Sequence, residues 1–406
     1  MERNIETVIV GGGQAGLSAS YYLGQARREH VILEQAERPA HAWQDERWDS
    51  FTLVTPNWTF LIPGGEYQGP DPDGFINKAE IVRRFDDYVE KYALPVEYNV
   101  RVTSVDAEPG GYRVQTSAGG WHASNVVMAT GIFQTPKVQA FSKAIPAGIS
   151  QIHSGQYRNP QKLAPGAVLV VGSAQSGCQI TEELYQAGRK VYQCVGSAAR
   201  VPRRYRGKDI VYWLDITGFF RRTVANLPNP RARFAGNPQA SGKNGGHSLN
   251  LHQFYRDGVQ LLGKIMDFQD GNLILAPDLK ENLNKSDQTE VKIIQVVNEY
   301  IAKNGIDAPE ETLLTLRDGY NAPEILSLNL KEAGITSIIW AMGYHYDYSL
   351  VHLPVFDESG YPITQAGNTS FPGLYFAGLP WQPMQRNGLL LGVGESAHAI
   401  VEKISS

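Results

Sequence analysis

The sequence predicts an α/β chain built on two separate βαβ units. Three observations carry this. An apolar strand pattern at Ile5–Val10 runs into the turn Gly11-Gly12-Gly13-Gln14-Ala15-Gly16, then a helical pattern at Leu17–Arg28 and a second strand at His30–Leu33. The same order returns at Val168–Val171, Gln179–Ala187 and Val191–Val195, opened by Gly172-Ser173-Ala174-Gln175-Ser176-Gly177. Finally, 406 residues are enough for two domains with a core each.

Between the units lie short strand candidates at Val100–Val105, Tyr112–Thr116 and Val126–Ala129. After the second unit, Asn237–Leu251 is rich in Gly, Asn and Ser and reads as a loop. A mixed helical stretch follows, clearest at Val291–Ala302. Strand character returns at Ile338–Gly343, and Gly388–Ile404 closes the chain as a helical pattern.

Composition removes several function classes. With 42% hydrophobic and 19% charged residues the chain is globular, and its net charge of −4 gives nucleic acid no electrostatic reason to bind. No apolar run approaches the ~20 residues of a membrane span. The first strand carries no signal pattern, so a cytoplasmic protein is expected. Cys178 and Cys194 stand far from any C-x-x-C spacing. That fits a reducing compartment and argues against a dithiol centre and a zinc site; no metal site is expected.

Each glycine of the first turn has a physical job. Gly11 permits the tight strand-to-helix turn, Gly13 lets the backbone approach a pyrophosphate, and Gly16 lets helix and strand pack closely. The pyrophosphate would rest on N–H groups at the helix start, beside Gln14 and Ala15. Glu34 ends the second strand, 23 residues after Gly11, where a carboxylate accepts hydrogen bonds from ribose hydroxyls. This makes the first unit a Rossmann-like dinucleotide site.

The second turn has Ala174 where the middle glycine stood. Gly172, Ser173, Gln175, Ser176 and Gly177 would line its phosphate site. No acid follows the second strand; instead Ser197 leads into Arg200-Val201-Pro202-Arg203-Arg204. An acid there would repel a 2′-phosphate, whereas arginines grip it bidentately, so NADPH is expected, with Arg200 and Arg203 as its readers. Two nucleotide sites in one redox chain suggest a resident flavin, FAD, and a visiting nicotinamide.

With these residues in place, the chain resembles the class B flavin-dependent monooxygenases, and most closely their bacterial branch linked with cation transport. The family's linking signature, F-x-G-x-x-x-H-x-x-x-Y/F, is matched by His153 and Tyr157, while Gly148 stands one residue too far forward and Pro146 takes the Phe place. Ala129-Thr130-Gly131 and Ala341-Met342-Gly343 resemble the turns where the chain passes between domains. Gly373–Pro380, including Gly378, resembles a third FAD-contacting segment, without the family's aspartate.

The resemblance implies a glutathione-reductase-like architecture of two Rossmann-like domains: an FAD domain over 1–160 and 325–406, and an inserted NADPH domain over 161–324. It places Arg47 and Trp48 beside the flavin. Asn57 is then a candidate catalytic residue, hydrogen-bonding a flavin hydroperoxide. The helix after Asn387-Gly388 would aim its positive end at reduced flavin. The implied reaction uses NADPH, FAD and O2 to oxygenate a small amine, sulfide or carbonyl compound. Plain NAD(P)H-dependent flavin oxidoreduction and a redox-responsive regulatory flavoprotein are the alternatives; a homodimer is compatible with each.

Overall fold

The computed structural model describes residues 2–406. Strand β1 (Glu2–Val10) runs parallel to β2 (His30–Leu33), and β2 to the short β3 (Val96–Glu97). On the other side of β1 comes an antiparallel meander, β4 (Val102–Glu108), β5 (Gly111–Thr116) and β6 (Gly119–Met128), with β6 parallel to β1. All three elements run longer than the sequence pattern suggests. The start of β6, Gly119–Asn125, is held by pairing with β1 and β5 on its two sides, which no local apolar run announces.

A second sheet is wholly parallel. It contains β7 (Ser150–His153), β8 (Ala167–Val171), β9 (Val191–Cys194), β10 (Gln260–Leu262) and β11 (Ile335–Trp340), in the order β10-β9-β8-β11-β7. The boundaries expected at residues 160 and 325 therefore fall inside this unit. Ser150 pairs with Ser337 and His153 with Trp340, a pairing that no local pattern announces. The chain then returns to the first sheet, where β12 (Leu374–Phe376) adds in parallel to β6. The two crossings touch in a small ribbon, Thr135–Pro136 against Tyr344–His345.

The apolar runs are buried on both faces, as parallel strands require. In β1, Ile9 packs with Leu17, Ala19 and Leu23 of helix α1 (Gln14–Gln25), while Val8 and Val10 pack on the far face with Met128 and Phe376. The second unit repeats this division. Val168 and Val170 join Cys178, Ile180 and Leu184 of the helix Gln175–Gln186, and Leu169 and Val171 join Ile338 and Trp340. Each such side chain contributes about 1.5–3 kcal/mol of burial.

Helix boundaries shift in an instructive way. Helix α1 begins at Gln14, inside the glycine turn, and ends at Gln25 rather than Arg28 because Arg27 turns left-handed at φ 55°. Helix α2 (Lys78–Tyr92) is capped by Asn77, whose side chain accepts from Glu80 N. The helix Gln175–Gln186 is labelled α3, and α4 spans Leu279–Asn304. The final helix, α5, begins at Val393 and runs to Ser405, not from Gly388; Gln385–Gly388 is a separate single turn. No helix among the described residues is long and apolar enough to cross a membrane.

Candidate dinucleotide sites

At the first turn, Gly11 has φ +109°, and a Cβ there would stand 2.7 Å from Ala129 O. A Cβ on Gly16 would stand 1.9 Å from Gly11 O. Both glycines are demanded by the protein's own backbone. Gly13 is different: its φ −82° and ψ −175° suit any residue, and a Cβ there would meet nothing within 4 Å. The room beside Gly13 is room the protein itself does not fill.

Helix α1 starts here with no side-chain cap and no acid in its first turn. Its first N–H groups thus face the turn without a protein anion, the arrangement that receives a phosphate. Glu34 is buried at the neighbouring strand end. Its two oxygens accept from Gly12 N and Ala36 N, each at 2.7 Å. Each oxygen keeps a lone pair for a ribose hydroxyl.

Three distant segments converge on this turn. Thr130 and Gly131 follow Ala129, and Gln134 Nε2 donates to Thr130 Oγ1 at 2.8 Å. Gly378 crosses the helix start so closely that a Cβ on it would lie 2.3 Å from Ala15 Cβ. Gln14 Nε2 reaches Gly388 O at 3.2 Å. Asn387 is buried and shapes this last loop, accepting from Met384 N at 2.8 Å and donating to Gly392 O at 3.2 Å. Its amide is therefore spent inside the protein. The positive helix end expected right after Gly388 instead sits at Val393.

The candidates between residues 47 and 57 separate. Arg47 stands among the rings of Trp43, Phe51 and Phe133, its Cζ 5.4–5.6 Å from their centroids, and its Nη1 donates to Glu46 O at 2.9 Å. Burial pulls its pKa down, with Tyr344 and Glu46 opposing. Trp48 is core, edge-on to Phe51 at 5.2 Å. Asn57, the expected catalytic residue, is buried with both amide atoms engaged. Its Nδ2 donates to Asp71 O at 2.8 Å and its Oδ1 accepts from Ile76 N at 2.7 Å. The residue pins the 57–76 loop and is 2% exposed.

The second turn reproduces the first. Gly172 has φ +118°, and a Cβ on it would lie 2.4 Å from Ala341 O; a Cβ on Gly177 would lie 2.1 Å from Gly172 O. Ala174 adopts φ −76° and ψ −172°, the conformation of Gly13. Helix α3 is also uncapped, with no acid in its first turn. Ser173 is buried and ties the turn to the strand end, its Oγ accepting from Gly196 N at 2.9 Å. Ser176 stays half-buried and Ser197 exposed.

Around this second turn the segment expected as a loop, Asn237–Leu251, forms a hydrogen-bonded strap. Ala240 N donates to Gln175 Oε1 at 3.1 Å, and Gln175 Nε2 donates back to Ala240 O. Gln239 Nε2 donates to Ser173 O. Farther along α3, His247 Nε2 meets buried Glu182 at 2.7 Å, and this hydrogen bond raises the histidine pKa against the pull of burial. Gly242 presses on the first unit: a Cβ there would lie 1.9 Å from Leu53 O. Only the polar residues scattered among the glycines hinted at these bonds.

The two arginines expected to read a 2′-phosphate are buried in ion pairs of the protein itself. Arg200 and Arg203 are 4% and 2% exposed. Arg200 pairs with Asp287 at 2.9 Å, and Arg203 pairs with Asp209. Their role is internal ion pairing. His153 is likewise structural: Nδ1 accepts from Gly155 N at 3.2 Å and Nε2 meets Gly343 O at 3.0 Å. It lines a cavity of about 620 Å³ at the crossing ribbon, with Glu46, Arg158, Trp340 and Tyr344. Cys178 and Cys194 are free and buried, and burial pushes both thiols up to about 12.

Residues 8–216 match the family described as pyridine nucleotide-disulphide oxidoreductase. A CzcO-like oxidoreductase of Geobacillus kaustophilus is 31% identical over 409 residues, covering 100% of this chain and 99% of the relative. A probable indole-3-pyruvate monooxygenase of Arabidopsis thaliana, YUCCA3, is 27% identical over 222 residues, 52% of this chain and 50% of that one. Among solved structures, a flavin-containing monooxygenase from Stenotrophomonas maltophilia superposes with TM-score 0.66 at 23% identity, covering 99% of this chain and 98% of that one. That likeness establishes the fold.

Proposed function

The chain belongs to the pyridine nucleotide-disulphide oxidoreductase family, and from that premise we propose that it is a flavin-dependent monooxygenase. FAD is held at the first turn and NADPH visits the second. When bound, FAD supplies hydride acceptance and oxygen chemistry. The observation that carries the reading is the pair of uncapped helix starts. Each sits behind a turn whose outer glycines are forced by backbone contacts, and only the first keeps a buried carboxylate at the adjoining strand end.

The chain's own residues then act by holding and orienting. The N–H groups of Gly13 to Gly16 receive the flavin pyrophosphate, and the bare Gly13 gives it room. Glu34 fixes the adenosine ribose. The crossing of Gly378 over Ala15 brings the 378–388 loop against the same turn. Arg47, set among the rings of Trp43, Phe51 and Phe133, would offer a positive charge in a low local dielectric to a flavin held beside it. The buried, unreactive thiols leave no dithiol relay of the kind the family name describes.

The similarity to a probable monooxygenase over about half of the chain supports oxygenation of a small molecule by O2. The same two sites also suit an oxidoreductase that returns electrons to oxygen without inserting it. Anaerobic reduction with NADPH, followed by mixing with O2 in a stopped-flow spectrometer, separates the two. A long-lived absorbance band distinct from oxidised and reduced flavin is expected. Direct return of oxidised flavin with stoichiometric hydrogen peroxide would overturn the monooxygenase reading.

A further inference from the structure

The turn after β9 carries neither of the two devices that tell NADPH from NADH. A carboxylate at this strand end would favour the free 2′-hydroxyl, and a free arginine would favour the 2′-phosphate. No acid stands between Gly196 and Val201, and the one charged residue in that span is Arg200.

Arg200 is committed at both terminal nitrogens, and its Nε is buried. Its Nη1 meets Asp287 Oδ1 at 2.9 Å and Asn250 Oδ1 at 3.3 Å, and its Nη2 meets Glu290 Oε2 at 2.5 Å. Asp287 also receives Tyr320 OH at 2.8 Å and Arg317 Nη1 at 3.1 Å. Two carboxylates thus surround the guanidinium, and a phosphate arriving beside it would meet their repulsion. Drawing Arg200 away would break its ion pairs with buried Asp287 and with Glu290, a loss that exceeds what a solvated phosphate contact returns.

The next two arginines are held by other groups of the protein. Arg203 pairs with Asp209 and donates to Val54 O at 2.7 Å, with its guanidinium over the ring of Phe75. It bridges the second unit to the first. Arg204 is exposed, but donates to Gly245 O and Gly246 O at 2.8 and 3.0 Å, toward the strap.

Resting on the reading of this turn as the nicotinamide nucleotide site, we infer that the protein does not select its reductant by the 2′-phosphate, so that NADH serves as well as NADPH. The pyrophosphate contact at α3 and the Gln175 wall serve both nucleotides alike.

Two measurements test this on the purified flavoprotein. Calorimetric titration with NAD⁺ and NADP⁺ should give dissociation constants within about tenfold of each other, and anaerobic flavin reduction by NADH and NADPH should show the same parity. A larger preference for NADPH in both would overturn the inference and leave the proposed site standing. No binding and no reduction by either nucleotide would overturn the site reading and the inference with it.

Variants sharpen the result. Ala198→Arg places an unpaired cation on the turn and should raise the NADPH:NADH ratio about tenfold. No change in the ratio would show that the turn does not face the ribose. Arg200→Met should lower the thermal midpoint and leave the ratio unchanged. A tenfold fall in the ratio at retained flavin content would make Arg200 a phosphate reader after all.

Discussion

The two glycine turns of this chain have one backbone and two surroundings. Gly11 and Gly172, and again Gly16 and Gly177, are glycines because a neighbouring carbonyl lies where a Cβ would go. Gly13 and Ala174 share their φ and ψ within a few degrees, so the fold itself does not ask for glycine at that middle position. Only a ligand would. The comparison teaches that the outer glycines report the fold, and the middle residue reports what rests against it. What distinguishes the sites is the surroundings: a buried carboxylate at the first, a hydrogen-bonded strap at the second.

The largest effects should come from forcing a Cβ onto the outer glycines. Gly16→Ala places a methyl 1.9 Å from Gly11 O, and Gly177→Ala one 2.1 Å from Gly172 O. Neither carbonyl can move without its strand, and overpacking of this kind costs about 1–3 kcal/mol or more. Gly16→Ala should purify without its flavin. Gly177→Ala should keep the flavin and lose reduction by nicotinamide nucleotide. Loss of both properties in both variants, read by flavin absorbance and anaerobic reduction, would break the division of labour.

A smaller effect should appear only at the second turn, through the strap. The Glu182 hydrogen bond raises the His247 pKa, with burial and the Lys243 charge working against it. The bond therefore stabilises fully below about pH 6.5, the ordinary histidine value, and is lost as pH climbs through the raised folded value. Hydrogen exchange at residues 237–247 should accelerate from about pH 6 to pH 9 beyond the intrinsic rate, and His247→Gln should remove that excess. Equal behaviour at residues 11–16 would show that the effect does not belong to the strap.

The smallest effect is expected at the middle position. Ala174→Gly should change stability by less than about 1 kcal/mol and bind the nucleotide at least as well. Its reciprocal, Gly13→Ala, meets no protein atom within 4 Å and should fold normally. Any weakening of flavin retention in that variant then measures the ligand's own need for space. Much weaker nucleotide binding by Ala174→Gly would show that the methyl is part of the second site.

Both βαβ units, the turns and Glu34 were legible because each is a local event. Strand, turn and helix start lie within about two dozen residues, and the physics that selects glycine there acts between chain neighbours and one adjacent strand. The rest was decided at long range. Arg200 reads as a free surface arginine until α4 brings Asp287 and Glu290 to it. Asn57 and Asn387 read as available amides until their own loops close on them. The extent of the second sheet depended on Ser150 finding Ser337. A side chain's charge and hydrogen-bonding capacity are written in the sequence. Whether that capacity is spent inside the protein or left for a ligand is settled by which distant groups burial places within reach, because an unpaired buried charge or amide costs more than a solvated one.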